Sequence, residues 1–172
     1  MRRWLLSSRW LLSLSFVLVF SSAQAMPELQ KVGEGSFRYL LWNLYEARLF
    51  SEQGEFNDYQ QSTPLLLELT YQRSITKQQF IDATIDQWQH LGHSSEDEQQ
   101  QWAEQLQDIW QDVNKGDRLA ALLQPDMSVE FFMNDEPTGR IEDSAFGPAF
   151  FDIWLHPDTS APRLRRQLLA AR

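Results

Sequence analysis

Residues 33–50, GEGSFRYLLWNLYEARLF, are the stretch of sequence that decides the predicted fold. After two glycines, apolar side chains occupy both alternating faces of an extended chain. A strand that is covered on one side alternates apolar with polar residues, whereas a strand covered on both sides is apolar almost throughout. The stretch therefore predicts a long central strand, bent near Asn43, with protein packed against each face.

The residues after this stretch predict strands and helices in separate groups. Residues 64–72 alternate as a strand, and capping boxes at Thr76-x-x-Gln79 and Ser95-x-x-Glu98 begin two amphipathic helices. Further predicted elements are strands at 117–124, 127–133 and 138–141, and helices that start at Asp143 or Ser144 and at Ser160. Because the crossovers are not regularly interleaved, the predicted fold class is α+β, an antiparallel sheet with helices gathered on one side, rather than a doubly wound parallel sheet.

The first 25 residues have the order of a secretory signal peptide: basic residues, an apolar run at 11–20 and an A-x-A cleavage signal that ends at Ala25. The run is shorter than the roughly 20 apolar residues that a membrane-spanning helix needs. We therefore expect cleavage after Ala25, no stable membrane insertion afterwards, and one mature domain at 26–172 in the periplasm. A retained leader that anchors the chain remains the alternative.

Charge and composition exclude several classes of partner and site. The chain carries 24 acidic and 15 basic residues, and the leader holds three of the basic ones, so the mature domain is strongly acidic. An acidic surface repels phosphate backbones and anionic lipid headgroups, so nucleic-acid binding is not expected. The chain has no cysteine, which excludes a disulfide, a thiol nucleophile and a thiolate metal site.

The sequence lacks the motifs of common catalytic and metal sites. The three histidines, His90, His93 and His156, include no i, i+4 pair, so no metal site and no cofactor are predicted. We expect His90 and His93 to face solvent at a helix end. The chain has neither a G-x-S-x-G turn nor a G-x-x-x-x-G-K phosphate loop, and no catalytic residue is assigned.

An apolar pocket is the remaining candidate site. Phe80 and Gln87 lie seven residues apart on one edge of the first predicted helix, which is expected to pack toward the strand that carries Phe37 and Leu40. A lone amide among aromatic side chains can fix the orientation of a ligand in a mainly apolar pocket. Alternatively, Gln87 caps a strand end or faces solvent, because glutamine is mostly exposed in proteins.

Several stretches together resemble the chalcone isomerase-like family, in its exported bacterial branch. They are, in chain order, GEG at 33–35, LYEARLF at 44–50, the strand at 65–71 with RSI at 73–75, KGD at 115–117, VEFF at 129–132, the segment 146–155 that ends in DIWL, and the segment 160–169. The resemblance implies an open-faced β-sandwich, in which a curved antiparallel sheet carries a layer of helices on one face. This agrees with the α+β class predicted from periodicity.

In the plant enzymes of this family, a cleft closes a flavanone ring from a chalcone with an arginine, a threonine, a tyrosine, an asparagine and a late-helix hydroxyl residue. The resemblance places these positions on Phe37, Leu40, Phe80, Gln87 and Ile153. Four of the five have lost the group that the chemistry needs, because apolar side chains cannot stabilise a charged transition state. We therefore predict no chalcone isomerase activity. Other members bind fatty acids through an arginine and a tyrosine, and here a hydrophobic ligand is expected without that charged anchor.

The predicted function is a non-enzymatic periplasmic domain that binds a fatty acid or other small apolar molecule in a cleft bounded by Phe37, Leu40, Phe80, Gln87 and Ile153. A cavity of roughly 300 Å³ or more should then lie between the sheet and the first helix. One alternative is a scaffold or partner-binding envelope protein with a closed core, in which the aromatic residues only pack. Another, which rests on fold analogy alone, is an isomerase or lyase with an unknown substrate.

Overall fold

The computed structural model of this chain describes residues 28–39 and 41–170. The predicted signal peptide and Leu40 lie outside the described residues. The strands are β1 (Gln30–Tyr39), β2 (Trp42–Ser51), β3 (Leu65–Tyr71), β4 (Arg118–Leu123), β5 (Val129–Met133) and β6 (Glu136–Ile141). The helices are α1 (Tyr59–Ser62), α2 (Lys77–Leu91), α3 (Glu96–Ile109), α4 (Phe146–Leu155) and α5 (Pro162–Leu168). None of these described helices is long and apolar enough to cross a membrane.

The six strands form one antiparallel sheet in the order β1-β2-β3-β4-β5-β6, so each strand pairs with its neighbour in sequence. Helices α2 and α3 lie between β3 and β4 in the chain, and α4 and α5 follow β6. Buried side chains of these helices share one core with Leu65, Leu67 and Leu69 of β3. On the opposite face, a small cluster around Leu66 and Phe132 holds no residue of a described helix. The predicted α+β class, a sheet with helices on one face, is confirmed.

Residues 33–50 belong to a hairpin of two strands, and the prediction of a single central strand is wrong. The chain reverses between Tyr39 and Trp42, before the predicted bend at Asn43, and β1 lies at the edge of the sheet. The apolar side chains of the hairpin tip are exposed, Tyr39 by 63%, Leu41 by 93% and Trp42 by 58%. The prediction failed because apolar residues at both odd and even positions are found in an exposed apolar turn as well as in a strand that is covered on two faces.

The two glycines at the start of this stretch let α5 pack directly on β1. A Cβ atom at Gly33 would lie 2.3 Å from the backbone carbonyl oxygen of Gln167, and one at Gly35 would lie 2.4 Å from the Oε1 of Gln167. Both separations are far inside the roughly 3.5–4.0 Å of a normal non-bonded contact. Gly33 and Gly35 are therefore packing residues that allow the C-terminal end of α5 to approach β1 closely.

The two capping boxes predicted at the starts of α2 and α3 both form, Thr76 with Gln79 and Ser95 with Glu98. In each box the side chains and backbone amides satisfy one another, which defines where the helix begins. The indole of Trp88, which is fully buried, donates a 3.1 Å hydrogen bond to a backbone carbonyl of α4. This bond ties α2 to α4 within the helical layer.

The start of α4 differs from the prediction. The N-cap is Ala145, not Asp143 or Ser144, and no side chain caps the helix. Asp143 instead accepts hydrogen bonds from the Ala145 amide at 2.9 Å and from the Trp102 indole at 2.8 Å. The aspartate therefore links the beginning of α4 to α3.

Candidate functional site

A cavity of about 460 Å³ lies between the inner face of the sheet and the helical layer. Residues of β1 to β4 form one wall, and residues of α2 and α4 form the other. The apolar part of the wall includes Leu44, Leu69, Trp110, Leu119 and Phe150. The cavity reaches the surface, because exposed residues such as Gln79 and Ala83 also border it. Its volume exceeds the roughly 300 Å³ at which a cleft becomes ligand-sized.

Four of the five residues predicted to bound the cleft line this cavity: Phe37 from β1, Phe80 and Gln87 from α2, and Ile153 from α4. Leu40, the fifth, lies outside the described residues. The Gln87 Oε1 accepts a 2.5 Å hydrogen bond from the hydroxyl of Ser160, which also borders the cavity. Gln87 is therefore half-buried at the cavity wall and does not cap a strand end, and its bond to Ser160 lies on the solvent-exposed side of that wall.

Two tyrosines place phenol groups in the cavity wall. Tyr45 of β2 and Tyr71 of β3 are paired across the sheet, and their ring centroids are 5.6 Å apart. The Tyr45 hydroxyl accepts a 3.0 Å hydrogen bond from the Trp154 indole. Burial raises the pKa of both phenols above the ordinary value of 10.0. Both groups therefore stay protonated at neutral pH, and each can donate a hydrogen bond as a neutral phenol.

A guanidinium group lies at the edge of the cavity. Arg73, two residues beyond the end of β3, borders the cavity and is itself exposed. Its guanidinium carbon lies 4.5 Å from the centre of the Trp42 ring, a cation–π contact that steadies the side chain. The cavity thus combines an apolar interior with a positive charge where it meets solvent.

The cavity wall includes one arginine and two tyrosines that the prediction of a cleft without a charged anchor did not name. The positions matched to the plant enzymes carry no guanidinium or phenol, but Arg73, Tyr45 and Tyr71 supply these groups from other places. A signal for the tyrosines was present, because Tyr45 has the same parity in β2 as Ala47 and Leu49, which are fully buried. The residue-by-residue comparison with the plant enzymes missed these tyrosines, because a group that is absent at one position can be present on a neighbouring strand.

A second polar cluster, formed by His93, Asp152 and His156, lies where the loop after α2 meets the end of α4. The Nε2 atom of His93 is 2.8 Å from the Oδ2 atom of Asp152, and the rings of His93 and His156 have centroids 5.6 Å apart. His93 is thus half-buried and not solvent-facing as predicted, whereas His90 is exposed. These three residues are called the His–Asp–His cluster below, and none of them lines the cavity.

Comparison of the sequence with known families decides the relationship that the ordered motifs predicted. A profile described as chalcone isomerase-like matches residues 25–170, which is most of the chain. The chain belongs to the chalcone isomerase-like family. Its α+β architecture, with one antiparallel sheet under a helical layer, agrees with that membership. Membership of the exported branch of the family stays a prediction.

Two known proteins are similar to this chalcone isomerase-like chain. An uncharacterized protein of Haemophilus influenzae is 28% identical over 153 residues, which cover 89% of this chain and 74% of that protein. The crystal structure of a fatty-acid binding protein of Arabidopsis thaliana aligns with a TM-score of 0.55 and 10% identity, over 82% of this chain and 84% of that one. At this low identity the structural likeness shows a shared fold.

Proposed function

We propose that this chalcone isomerase-like chain is a non-catalytic binding protein for a fatty acid or a similar small apolar molecule with an acidic end. The observation that carries the proposal is the cavity of about 460 Å³ between sheet and helices. Ligand cavities in proteins span roughly 300–1,000 Å³, are lined mainly by apolar and aromatic side chains, and contain a few placed polar groups. The cavity has each of these properties.

The interior of the cavity suits an alkyl chain. Apolar and aromatic side chains make up much of its wall, among them Leu69, Phe80, Trp110, Phe150 and Ile153. Each methylene group transferred from water to such a surface gains about 0.8 kcal/mol. A chain of several methylene groups would therefore bind through burial alone, without a specific polar contact in the interior.

The polar groups of the cavity suit a carboxylate at one end of the ligand. Arg73 is exposed at the edge, where a ligand carboxylate can keep part of its hydration while it pairs with the guanidinium. Tyr71 comes two residues earlier in the chain and offers a neutral phenol donor in the wall. The fold shared with a fatty-acid binding protein of Arabidopsis supports the same class of ligand.

The groups that line the cavity do not favour acid–base catalysis. Among the described lining residues there is no Asp, Glu or His. The raised pKa values of Tyr45 and Tyr71 keep both phenols far from the neutral range in which a general acid or base is effective. Binding without turnover is therefore the function that these side chains support best.

The proposal is tested with purified, delipidated protein. Fatty acids of increasing chain length are titrated while tryptophan fluorescence is followed, because Trp110 and Trp154 line the cavity. We expect saturable one-to-one binding that tightens with chain length, and loss of binding in Ala83→Trp, which places an indole at the cavity border. Native mass spectrometry of the protein as purified should show a co-purifying small molecule.

Two results would contradict the proposal. Absence of saturable binding for every fatty acid and isoprenoid tried would favour the alternative of a scaffold whose aromatic residues only pack. Binding that is unchanged in Ala83→Trp would place the ligand outside the cavity. Gln89→Trp is the matched control, since Gln89 is an exposed residue of the same helix and does not line the cavity.

We also propose that the mature protein is periplasmic, because residues 1–25 have the order of a secretory signal peptide. Cell fractionation followed by intact-mass measurement tests this location. A soluble periplasmic protein with the mass of residues 26–172 would support the periplasmic location. A full-length species in the membrane fraction would support the retained anchor instead.

A further inference from the structure

We propose that the His–Asp–His cluster, His93, Asp152 and His156, is a binding site for a divalent first-row transition-metal ion, with Zn²⁺ as its simplest probe. One potential ligand atom from each of the three residues lies within 4.8 Å of the other two. Two imidazoles and one carboxylate form a donor set that suits zinc and related ions. The site is separate from the cavity, and the inference does not depend on the proposed function.

The separation of the donor atoms fits a common ion. Nitrogen and oxygen ligands lie about 2.0–2.1 Å from Zn²⁺, so two of them in a tetrahedral site are roughly 3.4 Å apart, and a pair nearer than that must open by about half an ångström. The His93 Nε2 and the Asp152 Oδ2 are 2.8 Å apart. An ion in front of both atoms would be bound without a large movement of either side chain.

The contact between His93 and Asp152 has the distance of an ion pair but poor hydrogen-bond geometry. The His93 Nε2 is shielded from solvent and has no hydrogen-bond partner, although the Asp152 oxygen is close. The short distance and the missing bond are consistent only if the N–H direction misses the oxygen. A buried donor or acceptor without a partner is unfavourable by about 1–3 kcal/mol. An ion that accepts the lone pairs of both atoms would remove that cost.

The surroundings of Asp152 prepare one of its oxygens for an ion. The Tyr59 hydroxyl donates a 2.5 Å hydrogen bond to the Oδ1 atom of Asp152, which leaves Oδ2 to face His93. Metal-binding carboxylates are commonly held by such a second hydrogen bond, which orients the ligand.

Asp152 and His156 are four residues apart at the end of α4, a spacing that puts two side chains on one side of a helical turn. The His156 Nδ1 accepts a 3.0 Å hydrogen bond from the amide of Asp158. Coordination through Nε2 puts the ring proton on Nδ1, so the bond from the Asp158 amide must break and the ring must turn its Nδ1–H toward the Asp158 carboxylate, 4.0 Å away. The result is the carboxylate–histidine–metal arrangement found in many metal sites.

The cluster is accessible enough for an ion to enter. The side chains of His93, Asp152 and His156 are 28%, 15% and 29% exposed. Three protein ligands leave at least one position for water, as in open zinc sites. The positive charge of Arg165, whose guanidinium bonds the Leu155 carbonyl, acts on neighbouring Tyr59 and opposes a cation, so we expect moderate affinity.

The test is titration of the untagged protein with Zn²⁺ by calorimetry and with Co²⁺ by visible absorption. We expect one bound ion per chain, and a loss of affinity of at least about tenfold in His93→Gln, in His156→Gln and in the isosteric Asp152→Asn. His90→Gln is the matched control, because His90 is exposed and lies outside the cluster, and a glutamine amide can keep its 3.1 Å contact with the Asp158 carbonyl oxygen. This variant should bind as the wild type does.

The proposal is overturned by the absence of saturable binding, by unchanged affinity in the cluster variants, or by an equal loss in His90→Gln. A measurement on the wild type covers the case in which a variant fails to fold. Zn²⁺ should shift the imidazole ¹⁵N resonances of His93 and His156 and leave those of His90 in place. No shift, or a shift of His90 alone, would mean that the cluster is only a histidine–aspartate ion pair.

Discussion

Replacing Arg73 by glutamine should weaken the binding of a fatty acid but not of its methyl ester. Arg73 is the guanidinium at the edge of the cavity, and its exposure limits what it contributes. A hydrogen bond to a charged group contributes about 1.5–3 kcal/mol when it is sheltered, and an exposed ion pair about 0.2–1 kcal/mol. We therefore expect a loss of about 1 kcal/mol, which corresponds to a roughly fivefold higher Kd.

The assay is a fluorescence titration of delipidated Arg73→Gln and wild-type protein with a fatty acid and with the methyl ester of the same acid. The ester carries no charge, so its Kd should be the same in both proteins. Added salt should narrow the difference for the acid, because an exposed ion pair is screened. Arg166→Gln, on the exposed side of α5, is the control for a general change in charge.

The reasoning is refuted if Arg73→Gln weakens the acid and the ester equally, since the residue would then act through packing. It is also refuted if Arg166→Gln produces the same loss as Arg73→Gln. In that case the overall charge of an acidic protein, and not a specific anchor, would determine how anionic ligands bind.

The other predictions concern packing, pH and activity. Gly33→Ala should lower the free energy of unfolding, measured in urea, by about 1–3 kcal/mol, because the new Cβ would meet the backbone of α5 at 2.3 Å. The control is Glu34→Ala on the exposed side of β1, which should change the free energy of unfolding by less than about 1 kcal/mol. The raised pKa values of Tyr45 and Tyr71 predict that the free energy of unfolding is retained below pH 10 and falls above it, because the phenols of the unfolded chain then lose protons that the folded protein keeps. A urea midpoint that stays constant from pH 8 to about 11 would contradict this prediction. A chalcone substrate should cyclise at the background rate in the presence of the protein, and any acceleration measured by absorbance would show that the remaining polar groups suffice for catalysis.

The fold could be predicted to the level of class and layers because local signals and the global fold agree. The alternation in β3 and the capping boxes at Thr76 and Ser95 each follow from a few neighbouring residues. The hairpin could not be predicted in the same way. Its tip exposes Tyr39, Leu41 and Trp42, and apolar residues that face solvent imitate a buried strand in a single sequence.

The candidate site was predicted in part, for a related reason. Phe80 and Gln87 could be placed together because they share one helix, Phe37 because it lies on the strand expected to face that helix, and the family resemblance added Ile153. The polar end of the cavity was missed, because Arg73 approaches it from beyond the end of a strand. No rule of sequence spacing describes that approach.

The His–Asp–His cluster shows the same limit more clearly. His93 and Asp152 are brought together by the packing of α2 against α4, across 59 positions of the chain. Only the four-residue spacing of Asp152 and His156 was visible in the sequence. A rule that requires two histidines four residues apart does not detect this spacing, because one of the two residues is an aspartate.

The most direct test of the central claim is to locate a bound fatty acid by NMR. A ¹³C-labelled fatty acid added to delipidated protein should give intermolecular nuclear Overhauser effects to the ring of Phe80 and the methyl groups of Leu69 and Ile153, which face the cavity. That result would place the alkyl chain between the sheet and the helices. Contacts confined to Leu41 and Trp42 on the exposed hairpin tip, or no contacts at all, would contradict the claim that this cavity is a ligand-binding site.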